Sequence, residues 1–229
     1  MIDFSKAESV NYPYPYMVID KCFDNKTLNN LIKEFPDVSA ETTVMGGRKK
    51  MSTGNSKFHS WVQTTPTWMK FYNWINNDTI FHSFIDYYEE DLHKWNSNIT
   101  PNCSLSTDCS LHIDWSSSTD GYVREIHRDM NKRIINFLIF FNDKEWEGGD
   151  FIIHSSDNIN QLDQQLWNTQ LPIYKTIEAK KNLGIFFLST PDSYHSVSLQ
   201  QNTKTPRKFI YGSFSYKSKY GDVFNKRVK

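Results

Sequence analysis

The chain has 229 residues, 26 basic and 26 acidic, with three cysteines; this is one domain's length, and a balanced charge gives no global field to attract nucleic acid or an anionic membrane. Cys22, Cys103 and Cys109 are odd in number and lack CxxC spacing, which argues against a disulfide framework or zinc knuckle and for a reducing, cytoplasmic setting. Residues 1–6 lack a signal-peptide pattern, and no stretch approaches the roughly 18 apolar residues of a spanning helix, so no membrane partner is expected.

Residues 12–20 read as an extended entry that becomes a strand near Met17 to Ile19. A helix follows, with Asn25 as its N-cap, Leu28, Leu31, Ile32 and Phe35 at helical spacing, and Pro36 as its stop. Residues 38–56 place Gly46, Gly47 and Gly54 among polar and basic neighbours and read as a mobile loop, a candidate substrate cover. Thr65-Pro66 starts another helix, striped by Trp68, Phe71, Tyr72 and Ile75. Asp78 caps a further one, on which Ile80, Phe81, Phe84, Ile85, Tyr88, Leu92 and Trp95 run on at i, i+3, i+4 spacing as core packing.

From about residue 103 the pattern turns to strands. Leu105 and residues 111–115 suggest one; 133–142, 150–154, 173–177, 183–188, 195–199 and 207–216 supply the others. Short strands after helices predict an α+β, mainly β fold, an antiparallel barrel or sandwich with helices on one face. We expect one domain, with residues 1–102 as support and 103–217 as the strand core. Residues 155–171 read as a polar insert and second candidate cover, and the basic residues of 217–229 as a solvated tail.

Within the strand half, His127 and Asp129 stand two residues apart, so on an extended segment both point to one side. With a distant His195 they make two histidines and one carboxylate, a set that holds Fe(II) on one face and leaves three positions free. His112 and Asp114 form a second His-x-Asp. No long apolar strand or Gly-Gly turn follows that pair at comparable spacing, which leaves Asp114 a structural residue.

The run His127-Arg-Asp129, then residues 133–142, Trp146-Glu-Gly-Gly-Asp-Phe151, Tyr194-His195-Ser-Val197 and Arg207-Lys-Phe-Ile-Tyr211 resembles the 2-oxoglutarate and Fe(II)-dependent dioxygenases of the prolyl-4-hydroxylase-like type. The resemblance covers about residues 103–216, roughly half the chain. It implies a double-stranded β-helix, or jelly-roll, with N-terminal helices packed against it. It implies that His127, Asp129 and His195 hold Fe(II) and that 2-oxoglutarate and dioxygen are consumed, with ascorbate as a supporting reductant. The reaction implied is hydroxylation of a C–H bond in a small-molecule or peptide substrate, peptidyl proline among them, with release of succinate and CO2. Arg207 matches the residue that pairs with the far carboxylate of 2-oxoglutarate, as a guanidinium can. Lys208 takes that place if the register slips by one.

Two positions depart from the family. Phe209 stands where relatives carry a small or hydroxylated residue, and Phe140 where a tyrosine often assists 2-oxoglutarate. The cosubstrate pocket is therefore expected to be drier, with Asn136 as a replacement hydrogen-bonding partner. Two other classes fit the same scaffold. One is a noncatalytic jelly-roll binding module; the other is a cupin-type metal enzyme that does not use 2-oxoglutarate.

Overall fold

The computed structural model describes residues 1–229 apart from 42, 45, 96–103, 106, 130–131, 157–169 and 218–229, together with the side chains of 93–95. Most of the expected polar insert and nearly all of the basic tail lie outside the described residues, as do Cys103 and the side chain of Trp95.

The chain begins with a short 3-10 turn (Phe4–Lys6), β1 (Ala7–Val10), β2 (Tyr16–Asp20) and α1 (Asn25–Lys33). A hairpin of β3 (Thr43–Val44) and β4 (Arg48–Ser52) leads into four helices: α2 (Ser56–Thr64), α3 (Pro66–Ile75), α4 (Asp78–Tyr87) and α5 (Glu89–Trp95). Then come β5 (Cys109–Ser118), β6 (Arg124–His127), β7 (Arg133–Phe140), β8 (Phe151–His154), β9 (Ile173–Ile177), β10 (Leu183–Leu188), β11 (His195–Val197) and β12 (Arg207–Tyr216). The fold is α+β and mainly β, with two antiparallel sheets. The larger, of eight strands, runs β1-β2-β10-β7-β12-β5-β4-β3, and the smaller, of four, β6-β11-β8-β9.

Side-chain alternation builds three layers. On β7, Phe137 and Ile139 join one apolar cluster, with Phe141 just beyond the strand, while Leu138 and Phe140 join another. On β10, Phe186 and Leu188 go to the first and Ile185 and Phe187 to the second. The first cluster includes Leu28 and Leu31 of α1, Phe58 of α2, Trp68 and Phe71 of α3 and Phe84 of α4, so the helices cover the outer face of the large sheet. The second includes Phe151, Ile153, Ile177 and Val197 of the small sheet, which covers the inner face. Each such side chain contributes about 1.5–3 kcal/mol by leaving water. Trp68 anchors the outer layer: it is fully buried against Trp61, Trp115 and Phe141, and its Nε1 donates to the Leu31 carbonyl at 2.9 Å. At Gly212 a Cβ would lie 2.0 Å from the Phe137 ring, so β12 passes this ring only as glycine.

Several expectations are corrected. The loop over 38–56 contains the β3–β4 hairpin, which extends the large sheet beyond β5; its alternation was masked because only Met51 of β4 is buried in the core. α2, in which only Phe58 and Val62 are buried, offers too few turns to show a period. The caps are each one residue earlier: Asp24 accepts from the Thr27 amide and Asn77 from the Thr79 amide, while Asp78 accepts from the Leu105 amide at 2.7 Å. The long helix from residue 78 breaks at Tyr88 into α4 and α5. Cys22 and Cys109 are buried free thiols, and no helix among the described residues is long and apolar enough to cross a membrane.

Candidate metal centre and active site

The end of β6 and the start of β11 lie side by side, with His195 paired in register to His127. Asp129 follows two residues beyond His127. The three side chains are buried and each offers a ligand atom within 4.8 Å of the others; His195 Nε2 is 3.7 Å from Asp129 Oδ2. The ring orientations are set from behind. His127 Nδ1 donates to the Glu125 carbonyl at 2.8 Å and His195 Nδ1 to the Ser193 carbonyl at 2.9 Å. Because a carbonyl only accepts, both protons sit on Nδ1 and both Nε2 lone pairs face the centre, where that of His127 accepts from Arg124 Nε at 3.3 Å.

Asp129 is held in the same way. Arg133 Nη1 donates to its Oδ1, and the Tyr211 hydroxyl lies 3.1 Å from its Oδ2 and 2.9 Å from Asn136 Oδ1. Arg133 Nη1 also donates to the Tyr211 oxygen.

Burial, with His195 close by, pushes His127 down to about 3. Burial likewise lowers His195. For Asp129 burial acts upward, but Arg133 and the two histidines outweigh it and hold the carboxyl below its ordinary range. The resting state is thus two neutral imidazoles and a carboxylate, the protonation that a divalent cation requires. Two imidazoles and one carboxylate on one side, each oriented by a second partner, fit a first-row metal with positions left open.

The three residues form part of the wall of a cavity of about 190 Å³. Arg48, Lys50 and Asp114 line it too, as do Phe209, Tyr211 and Tyr122. Arg207 does not line it. Its side chain is 1% exposed, and Tyr122 and Phe209, which do line the cavity, hold their ring centroids 5.0 and 4.6 Å from its guanidinium carbon. Phe140 is a third ring, at 5.7 Å. Nη1 donates to the Gly149 carbonyl and Nε to Ser118 Oγ at 3.2 Å. A Cβ on Gly149 would stand 2.9 Å from that Nη1, which explains the need for glycine in the turn after Trp146. Burial brings Arg207 down to about 10, still charged at neutral pH. Among the described residues no carboxylate forms an ion pair with it. Lys208 goes to the opposite face, its Nζ 5.6 Å from the Phe35 ring centroid.

No protein-family model matches the chain, and no curated protein sequence does either. Solved structures do match. An oxidoreductase of the 2OG-Fe(II) oxygenase family from Burkholderia pseudomallei superposes with a TM-score of 0.54 at 10% identity, covering 93% of this chain and 88% of that one. The fold is that of the 2OG-Fe(II) oxygenases. A prolyl hydroxylase from Trichoplax adhaerens, in complex with a hypoxia inducible factor oxygen degradation domain peptide fragment, gives 0.53 at 10% identity over 92% and 87%. HygX from Streptomyces hygroscopicus, with nickel and 2-oxoglutarate bound, gives 0.52 at 9% identity over 93% and 84%.

Within this oxygenase fold the structure brings His127, Asp129 and His195 together at one point, while Arg207 and Asn136 lie behind the cavity wall. Asn136 is fully buried; Oδ1 meets Tyr211, and Nδ2 has no hydrogen-bond partner. Arg133 and Tyr211 were not singled out from the sequence, though each had a signal. Arg133 lies four residues after Asp129, and Tyr211 continues the inward series of Arg207 and Phe209. The second His-x-Asp closes on itself, His112 Nε2 lying 2.9 Å from Asp114 Oδ1. Asp114 nevertheless lines the cavity, where Arg48 and Lys50 also bind it.

Proposed function

We propose that this chain is an Fe(II)- and 2-oxoglutarate-dependent oxygenase, its two sheets forming a double-stranded β-helix, that hydroxylates a C–H bond with release of succinate and CO2. The observation that carries the reading is the convergence of two Nδ1-anchored imidazoles and an Arg133-held carboxylate on one point of the cavity wall. Bound there, Fe(II) supplies the redox chemistry that couples decarboxylation of 2-oxoglutarate by dioxygen to oxidation of a substrate C–H bond. His127, His195 and Asp129 hold the metal. Arg133 and Tyr211 keep Asp129 ionised and leave Oδ2 turned toward His195.

Arg207 takes the far carboxylate of 2-oxoglutarate. A guanidinium buried without a carboxylate costs several kcal/mol, and an anion arriving beside it removes that cost. Access needs the ring of Tyr122 or Phe209 to turn aside, since both screen it from the cavity. Phe140 and Phe209 then exclude water around the pair. Asn136, with an unused Nδ2, is the amide donor on this side of the sheet.

The screening of Arg207 favours one second reading, metal-dependent chemistry without 2-oxoglutarate. Succinate formation separates the two. With Fe(II), 2-oxoglutarate and ascorbate under air, the parent is expected to release succinate, and both His127→Ala and Arg207→Ala to lose it. Iron binding should survive in Arg207→Ala alone. A parent that binds iron but makes no succinate, with or without candidate substrates, sinks the 2-oxoglutarate reading. The prolyl hydroxylases among the structural neighbours raise peptidyl proline as a substrate class, which a mass-spectrometric screen for gain of one oxygen examines directly.

A further inference from the structure

The inner face of the large sheet has two halves. Over β2, β10 and β7 it is mainly apolar and lies under the small sheet. No residue of β3, β4 or β5 belongs to that inter-sheet cluster. The other half is mainly polar and arranged in cross-strand rows, with Ser116, Ser118, Asp114, Arg207 and Phe209 buried. Arg48, Ser118 and Arg207 align across β4, β5 and β12; Lys50, Ser116 and Phe209 form the next row, and Ser52, Asp114 and Tyr211 the next. Alternation turns all three rows to the same side, the side of the cavity. Arg48 and Lys50 flank the buried serines and line the cavity.

The charges do not balance on this shelf. Arg48 Nη2 and Lys50 Nζ share one carboxylate, Asp114, at 3.0 and 2.8 Å. Asp114 is already engaged by His112 and Ser52. Arg48 also donates to Ser116 Oγ, from Nε at 3.1 Å and Nη2 at 2.8 Å, which sets its guanidinium over the serine floor. The two cations are only 13% and 31% exposed in their side chains, so water screens the surplus positive charge poorly. A pair serving only to stabilise the sheet edge would need no second cation. Arg207 ends the Arg48 row on β12, with the Phe209 ring against both guanidinium groups.

We propose that Arg48 and Lys50 bind an anionic group, a carboxylate or a phosphate monoester, of the small molecule that is oxidised at the His127, Asp129 and His195 centre. The inference rests on the oxygenase reading of that centre and names its substrate class. The cavity joins the two, since the cations and the triad line the same space of about 190 Å³. An anion on the shelf fixes one end of the substrate and presents a neighbouring C–H bond to the metal.

The test uses the full chain loaded with Mn(II), which accepts the same donors and broadens nearby proton resonances. In the presence of 2-oxoglutarate, the methyl signals of acetate and methyl phosphate are compared with that of methanol as a neutral control. At least one anion should broaden well beyond methanol, and the excess should fall about tenfold or more in Arg48→Gln/Lys50→Gln, as expected when two charge-assisted contacts go. Excess for acetate alone assigns a carboxylate, and for methyl phosphate alone a phosphate. If the double variant folds poorly, Arg48→Gln/Lys50→Gln/Asp114→Asn removes the stranded carboxylate as well and should show the same loss. An excess that survives in these variants, or no excess in the parent, overturns the proposal. The protons of 2-oxoglutarate are the internal reference. If they stay sharp in the parent, the oxygenase reading itself fails; if they broaden in parent and variant while the anion effect never appears, only the anion shelf is wrong.

Discussion

The two faces of the large sheet come from the same strands yet are built on opposite principles. Outward, Phe137, Ile139, Phe141, Phe186, Ile210 and Phe214 meet the helices in an apolar cluster. Inward, the same strands and their neighbours bury Arg207, Asn136 and Asp114 and frame the buried His127, Asp129 and His195. β12 shows the division residue by residue, with Arg207, Phe209 and Tyr211 on one side and Ile210 and Phe214 on the other. Strand geometry lets one backbone carry a stabilising face and a reactive face, so each can be altered with limited effect on the other.

The sharpest test of that separation is His127→Ala. Iron binding and succinate release should fall at least about 100-fold, while the far-ultraviolet circular dichroism stays that of the parent; an unfolded variant would show that the faces are not separable. The converse is Trp68→Ala, expected to cost about 3–5 kcal/mol in urea unfolding because it opens a cavity in the outer layer. The fraction that remains folded should bind metal with parental affinity.

Arg207→Met probes the inner face more gently. Without ligands its stability should equal or exceed that of the parent, since a buried unpaired cation is removed. The stabilisation by 2-oxoglutarate in a thermal-shift assay should drop by about 2–4 kcal/mol in binding terms. Parental stabilisation by 2-oxoglutarate would remove Arg207 from its proposed role.

The smallest effect is in the pH profile. His127, at about 3 when folded, and His195, also lowered, bind fewer protons folded than unfolded, where histidine titrates near ~6.5. Metal-free stability should therefore be full above about pH 6.5 and decline as pH falls from there toward about 3, by up to about 1.4 kcal/mol per pH unit for each histidine. Asp129 is lowered too, so its contribution is lost only below the ordinary carboxylate range. His127→Gln should flatten the slope. Trp68→Ala, on the uncharged face, should lower the whole curve without changing its shape, and a changed slope there would contradict the division.

How much the sequence disclosed follows the same division. Ile173–Ile177, Leu183–Leu188 and Arg207–Tyr216 are strands over the expected residues, because their apolar content is high enough to show. β4 was hidden because one of its faces carries Arg48 and Lys50 to a cavity rather than to a core, so it has a loop's composition. His127 and Asp129 could be picked out by their spacing, and the structure sets them beside His195. The partners of Asp129 were harder to see: Arg133 and Tyr211 meet only through the pairing of β7 with β12, which places Tyr211 opposite Leu138. The screening of Arg207 depends on how three rings stack, and no spacing rule encodes that.

The pairing of β2 with β10 has a consequence for synthesis. Cys22 donates from its amide to the carbonyl of Asn182 at 3.0 Å, across 160 positions of chain. Contacts so distant in sequence make for high contact order and slow folding. On the ribosome, β2 must wait with one open edge until β10 has emerged. His127 likewise waits for His195, so the three-residue centre can close only after the outer helices have had time to form.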